Sequence, residues 1–139
     1  MTPSLRSRIE QSFARQSMMA TLGATLSEIS EARVVITAPL LPGSLQQQGF
    51  GHAGLTFSIG DSASGYAGLT TLPDGYEVLT AETKINLLAP AQGDFLRATG
   101  TVIKPGKRLI VVSADVHAIK GKKETLIAVM QGTLVPVAV

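Results

Sequence analysis

Across residues 46–68 the chain passes from a polar, glycine-broken loop into a run of small and apolar residues that few folds can accept. Leu55, Ile59 and Ala63 recur at every fourth position, which predicts a helix. Gly54, Gly60, Gly65 and Gly68 lie in the same run, and each costs about 1 kcal/mol relative to alanine inside a helix. A helix that bears this cost is expected to be buried, pressed against other backbone and wrapped by a sheet. One carboxylate, Asp61, sits in its middle. A carboxylate carried into an apolar setting must reach solvent, find hydrogen-bond donors or take up a proton. In a cleft it acquires a pKa suited to proton transfer. An exposed mid-helix aspartate, or one bonded to a neighbouring loop, accounts for the same residue without chemistry.

The start of that helix is the second candidate. If it begins at His52-Ala53-Gly54, its first N–H groups lack intrahelical partners. With the positive end of the helix dipole they can polarise a carbonyl oxygen, and Gly54 lets a ligand approach the backbone. A plain helix start with a capping histidine is the alternative. Gln46, Gln47 and Gln48 lead into this end, where an amide could orient water or a carbonyl, and nothing within the run selects one of them.

The surrounding chain sets the fold class. Residues 3–16 read as an amphipathic helix with Leu5, Ile9 and Phe13 on one stripe and Thr2-Pro3 as cap and first turn. A linker through Met18, Met19 and Leu22 follows. Strands are predicted at 24–29 and 32–38. After the turn Leu72-Pro73-Asp74-Gly75 come four more at 77–88, 94–104, 109–119 and 125–135. The last four are joined by short connectors that carry glycine, as antiparallel hairpins require. Residues 126–130 are continuously apolar, so the last strand is expected to be internal to the sheet or at an interface. The architecture is α+β, one long helix against a mostly antiparallel sheet. Residues 1–22 read as an N-terminal helical segment and 23–139 as one domain.

Composition removes several function classes. Twelve basic residues against ten acidic ones, no tryptophan and 4% aromatics do not make a nucleic-acid surface. There is no cysteine, and His52 and His117 stand in no metal-ligand spacing, so no metal is expected. No apolar run is long enough for a membrane helix and no secretory signal stands at the N-terminus, which makes a cytoplasmic protein the default. Lys104, Lys107 and Arg108 flank one turn and could hold phosphates. Solvated turns that keep strand edges apart give the same pattern.

These motifs, taken together, are similar to those of the hotdog-fold thioesterases, in particular the PaaI-like (phenylacetate-degradation) branch. The match runs from near Leu40 almost to the end of the sequence. It includes Gly49-x-x-His52-Ala53-Gly54, Asp61 with Ala63, Gly65 and Ala67, the run from Lys84 to Ala91, Gly93, Gly100, Lys104-x-Gly-Lys-Arg-Leu109 and Gly132-Thr133. The resemblance implies a long central helix wrapped by a curved antiparallel sheet, and hydrolysis of acyl-coenzyme A thioesters without a separate cofactor. By position it implies Asp61 as general base or nucleophile and Gln46 near the thioester. It further implies the N–H of Ala53 on the carbonyl, His52 supporting that loop and Thr80 positioning the attacking water. Apart from the resemblance, Gly54 is read as substrate-binding through its open backbone, and Phe57, with Phe50 and Tyr66, as a candidate for the acyl pocket. Lys104, Lys107 and Arg108 fall at the coenzyme's phosphates. It also implies a homodimer or homotetramer in which Asp61 faces the partner's helix start. The family usually reads His-Gly-Gly where this chain has His-Ala-Gly; the N–H survives and the added methyl narrows the site. A non-catalytic acyl-binding protein with the same pocket is the alternative.

Overall fold

The computed structural model describes residues 1–139. Helix α1 spans Pro3–Arg15, opened by Thr2, whose hydroxyl accepts from the Leu5 N–H at 3.2 Å. Leu5 and Ile9 are buried on its inner stripe. At Gln16 the backbone leaves helical geometry, and a five-residue helix α2, Ser17–Thr21, follows. This corrects the linker expected there: Met19 and Leu22 are both buried, so packing rather than periodicity forms the turn of helix. Strands β1 (Thr25–Ser30) and β2 (Arg33–Pro39) form a hairpin, and a 3-10 turn at Pro42–Ser44 leads to the long helix α3, Ala53–Leu69. The remaining strands are β3 (Tyr76–Leu87), β4 (Phe95–Lys104), β5 (Ile110–Lys120) and β6 (Lys123–Ala138).

All six strands form one antiparallel sheet in the order β1-β2-β4-β5-β6-β3. The apolar β6 is internal, between β5 and β3, as its composition predicts. It runs three residues past the expected end, through Pro136. There it pairs only with β3, so the missing N–H costs no bond on the β5 side. Extra residues in β1, β3, β4 and β6 shift the register and bend the sheet. Alternate residues of β5 (Ile110, Val112, Ala114, Val116, Ala118) are buried beneath α3. No helix is long and apolar enough to cross a membrane.

Leu55, Ile59 and Ala63 are buried at 2%, 0% and 0% exposure, so the helical stripe lies in the core. The close backbone approach expected of α3 is also present, but a strand glycine permits it. A Cβ on Gly100 of β4 would stand 2.4 Å from the carbonyl carbon of Ala63 and 2.4 Å from the nitrogen of Ser64. The glycines of α3 itself do different work. Gly60 and Gly68 make room for the side chains of Met130 and Leu134, whereas nothing lies within 4 Å of a Cβ on Gly65. Leu5, Ile9 and Met19 share one core cluster with α3 and the sheet.

Candidate functional site

Two cavities carry the five candidate catalytic residues, Gln46, His52, Ala53, Asp61 and Thr80. The first surrounds the start of α3. Its volume is about 440 Å³, and its lining includes Gln46, Phe50, His52, Ala53, Thr56 and Leu87. The loop before the helix is tied down by backbone hydrogen bonds. The His52 N–H donates to the Ser44 carbonyl at 2.9 Å, and the Gly51 N–H to the Ala91 carbonyl at 2.7 Å. The Gln46 side-chain oxygen accepts from the N–H groups of Gln48 and Phe50, which fixes the amide and leaves its NH₂ group as the free donor.

His52 is the N-cap of α3: its Nδ1 accepts from the Gly54 N–H at 2.8 Å. A neutral imidazole accepting at Nδ1 carries its proton on Nε2. The imidazole also fills the space over Gly54, where a Cβ would meet Nδ1 at 3.0 Å. Gly54 therefore accommodates the cap, and its N–H is taken. The neighbouring Ala53 is exposed, and its N–H makes no hydrogen bond within the chain. At this helix end it is the unclaimed donor that the sequence pattern anticipates.

The second cavity, about 230 Å³, lies further along α3 and is lined by Asp61, Thr80, Gly65 and Tyr66, among others. Asp61 is half-buried, and the Thr80 hydroxyl of β3 donates to its Oδ1 at 3.1 Å. Burial raises the Asp61 pKa above the ordinary aspartate value, and the Thr80 hydrogen bond pulls part of that rise back. Such a carboxylate is a better proton acceptor than a solvated one, yet it stays oriented. Thr80 is the fifth residue of β3, just before the register shift that separates Thr80 from Glu82.

Within one chain the two halves are apart. Ala53 and Asp61 are eight residues from one another on a straight helix, about 12 Å of axial rise. They line different cavities. Phe57, one turn before Asp61, is exposed and borders neither cavity, whereas Phe50 lines the first and Tyr66 the second. Lys104, Lys107 and Arg108 stand exposed at the β4–β5 turn, form no ion pair and touch neither cavity.

Sequence reasoning missed one set of residues altogether. Ser12 and Gln16, at the end of α1, and Ser62 of α3 join Tyr66 on the wall beside Asp61. Ser12 and Tyr66 share a hydrogen bond of 3.0 Å, and the Gln16 amide donates to Tyr66 at 3.2 Å. The Ser62 hydroxyl donates to the Gln16 carbonyl at 3.0 Å. The available signal was the polar pair Ser12 and Gln16, four residues apart in the stretch 3–16 that the sequence marks as helical and therefore expected on one face.

Comparison with known proteins agrees with this architecture. Residues 48–125, more than half of the chain, match the model of the thioesterase superfamily. The structure superimposes on a thioesterase family protein from Silicibacter pomeroyi with a TM-score of 0.94. The two are 38% identical, over 97% of this chain and 99% of that one. It shares its fold with the E. coli PaaI protein of the phenylacetic acid degradation operon, with a TM-score of 0.86 at 21% identity, over 96% of this chain and 94% of that one. Two Saccharolobus solfataricus proteins that carry esterase names are also similar. One is 41% identical over 50% of this chain and 45% of its own length, the other 30% identical over 68% and 66%. The aligned stretch thus spans about half of one curated relative and about two thirds of the other. A hotdog architecture, with α3 enclosed by a six-stranded antiparallel sheet, and a family match that covers the helix start, Asp61 and Thr80 establish that the chain belongs to the thioesterase superfamily.

Proposed function

We propose that the protein is an acyl-coenzyme A thioesterase that hydrolyses its substrate to a free acid and coenzyme A. The observation that carries this reading is the Asp61–Thr80 pair: a half-buried carboxylate of raised pKa, aimed by one hydroxyl, at the edge of a cavity. In the proposed reaction Asp61 takes a proton from the water that attacks the carbonyl carbon, or attacks that carbon itself to form a mixed anhydride that water then hydrolyses, with Thr80 orienting the attacking group. The thioester oxygen gains negative charge as the new C–O bond forms, and the free N–H of Ala53 receives it. The C–S bond then breaks, and the departing thiolate takes up the proton that water gives up, either to Asp61 beforehand or in hydrolysis of the anhydride. Gln46 and His52 support the carbonyl end of the site, and Lys104, Lys107 and Arg108 meet the coenzyme's phosphates.

The 12 Å between Ala53 and Asp61 favours a site assembled from two copies, one giving the helix start and the other the carboxylate. Strand β3 offers the surface for pairing: it ends the sheet, runs for 12 residues and exposes Leu79 and Leu87. The proposed unit is a homodimer, able to pair into a homotetramer. It acts in the cytoplasm without a resident cofactor.

The test is thiol release from short, long and aromatic acyl-coenzyme A esters by the wild type and Asp61→Asn. The expected result is turnover of at least one ester by the wild type, reduced about 10²–10⁴-fold in the variant. Full activity in the variant would remove Asp61 from the mechanism. No release from any ester would leave a non-catalytic acyl-binding protein as the better reading.

A further inference from the structure

The second cavity reaches beyond Asp61, and its far wall comes from a part of the chain with no role in the proposed chemistry. One turn along α3 from Asp61, Gly65 leaves the floor open, because nothing occupies the space of a side chain there. Beyond it the Ser12, Tyr66, Gln16 and Ser62 side chains form one hydrogen-bonded chain. The order of that chain is fixed. Ser62 donates to the Gln16 carbonyl, Gln16 donates to Tyr66, and Tyr66 and Ser12 share a single proton contact. Counting donors leaves two unclaimed: the second N–H of Gln16, and one hydroxyl proton from the Ser12–Tyr66 pair whichever of them donates. Phe13, with its ring centroid 6.4 Å from that of Tyr66, holds the phenol in place from α1.

From this wall we infer that α1 builds the acyl subsite, and that it selects a short acyl group bearing a neutral oxygen, a hydroxyl or carbonyl, at the end remote from the thioester. The inference rests on the thioesterase reading and adds to it the class of acid released. A volume of about 230 Å³ lies below that of sites for larger ligands and suits a short group rather than the coenzyme's arm. A purely alkyl chain would strip solvent from the two free donors and give nothing in return. A carboxylate end is disfavoured as well. It would face Asp61 and Glu77, and the nearby cation, Arg8, is already paired with Glu77 at 3.0 Å.

The experiment compares kcat/KM for butyryl-, 3-hydroxybutyryl- and 4-hydroxybutyryl-coenzyme A in the wild type, Gln16→Leu and the double variant Ser12→Ala/Tyr66→Phe, which removes both hydroxyls of that pair, with circular dichroism to verify folding. The wild type should favour one of the hydroxylated esters by about tenfold, the weight of one net hydrogen bond. Each variant should bring that ratio toward one. Equal or better use of the butyryl ester by the wild type overturns the inference, as does an undiminished ratio in both variants, while hydrolysis itself leaves the thioesterase reading standing. Absence of turnover with all three of these esters overturns the inference alone; the thioesterase reading falls with it only if the long and aromatic esters are refused as well.

Discussion

Replacing Gly100 with alanine tests the contact that sets the height of α3 above the sheet. The added Cβ would stand 2.4 Å from two backbone atoms of Ala63 and Ser64 and 2.5 Å from the Ala63 carbonyl oxygen, against 3.4 Å for ordinary contact. The shortfall is about 1.0 Å, and no rotamer change relieves it because all three atoms are main chain. Overpacking costs about 1–3 kcal/mol when side chains can give way; with only backbone to move, we place Gly100→Ala at the upper end, about 3 kcal/mol. For a domain of this size that is about 10 °C in Tm, readable by thermal unfolding under circular dichroism. The displaced segment lies two residues beyond Asp61, so the 3.1 Å bond to Thr80 should lengthen and activity should fall even below the new Tm. Gly65→Ala supplies the opposite sign in the same assay. Its Cβ meets nothing, so the variant should gain about 0.5–1 kcal/mol from helix propensity and a smaller unfolded ensemble. A Gly100→Ala protein that melts within about 2 °C of the wild type would refute the reasoning. So would equal shifts from the two variants.

Ala53→Pro removes the unclaimed N–H at the first helical position, where proline is well tolerated and the preceding residue is already extended (φ −63°, ψ 145°). Its kcat should drop about 10²–10³-fold with Tm unchanged, and a matching loss of stability would point to a structural role instead. Mixing Ala53→Pro with Asp61→Asn chains and allowing exchange should restore about a quarter of wild-type activity, since half the dimers then hold one intact site; recovery at the level of the separate variants would sink the two-copy site. Thr80→Val removes the interaction that lowers the Asp61 pKa and leaves the burial that raises it. Because the carboxylate is the active form, activity is lost as pH falls through that pKa. The acid limb of kcat/KM against pH should therefore move upward in the variant, and an unmoved limb would disconnect Asp61 from it.

The parts of this fold that were legible from the sequence are those in which a residue's neighbours along the chain decide its setting. The four-residue spacing from Leu55 to Ala63 marked α3, and glycine-bearing connectors marked the hairpins. The continuous apolar run in β6 marked an internal strand. The short helix holding Met19 was not legible, because five residues give no period to read and its burial comes from distant partners. The same holds for Gly100. Only the register of β4 against α3 shows that it, rather than a helix glycine, permits backbone contact. At the site, Asp61 stood out as one charge in an apolar run, but the hydroxyl that orients it lies 19 residues along the chain, on a strand placed by pairing with β6. The wall from Ser12 and Gln16 depends on which way α1 folds back, a choice made by Leu5 and Ile9 in the core rather than by the polar residues themselves.

The position of β3 at the end of the sheet has a consequence for synthesis on the ribosome. Its strand partner in this chain is β6, so residues 76–87 must wait, unpaired, until residues 123–138 have emerged. Strands β1, β2, β4 and β5 can assemble around α3 earlier, since each finds its neighbour among segments already made. Long sequence separation makes this closing step slow as well as late. The hydroxyl that aims Asp61 rides on β3, so the nascent chain can bury the part of its core built by β1, β2, β4 and β5 before it holds a correctly oriented carboxylate.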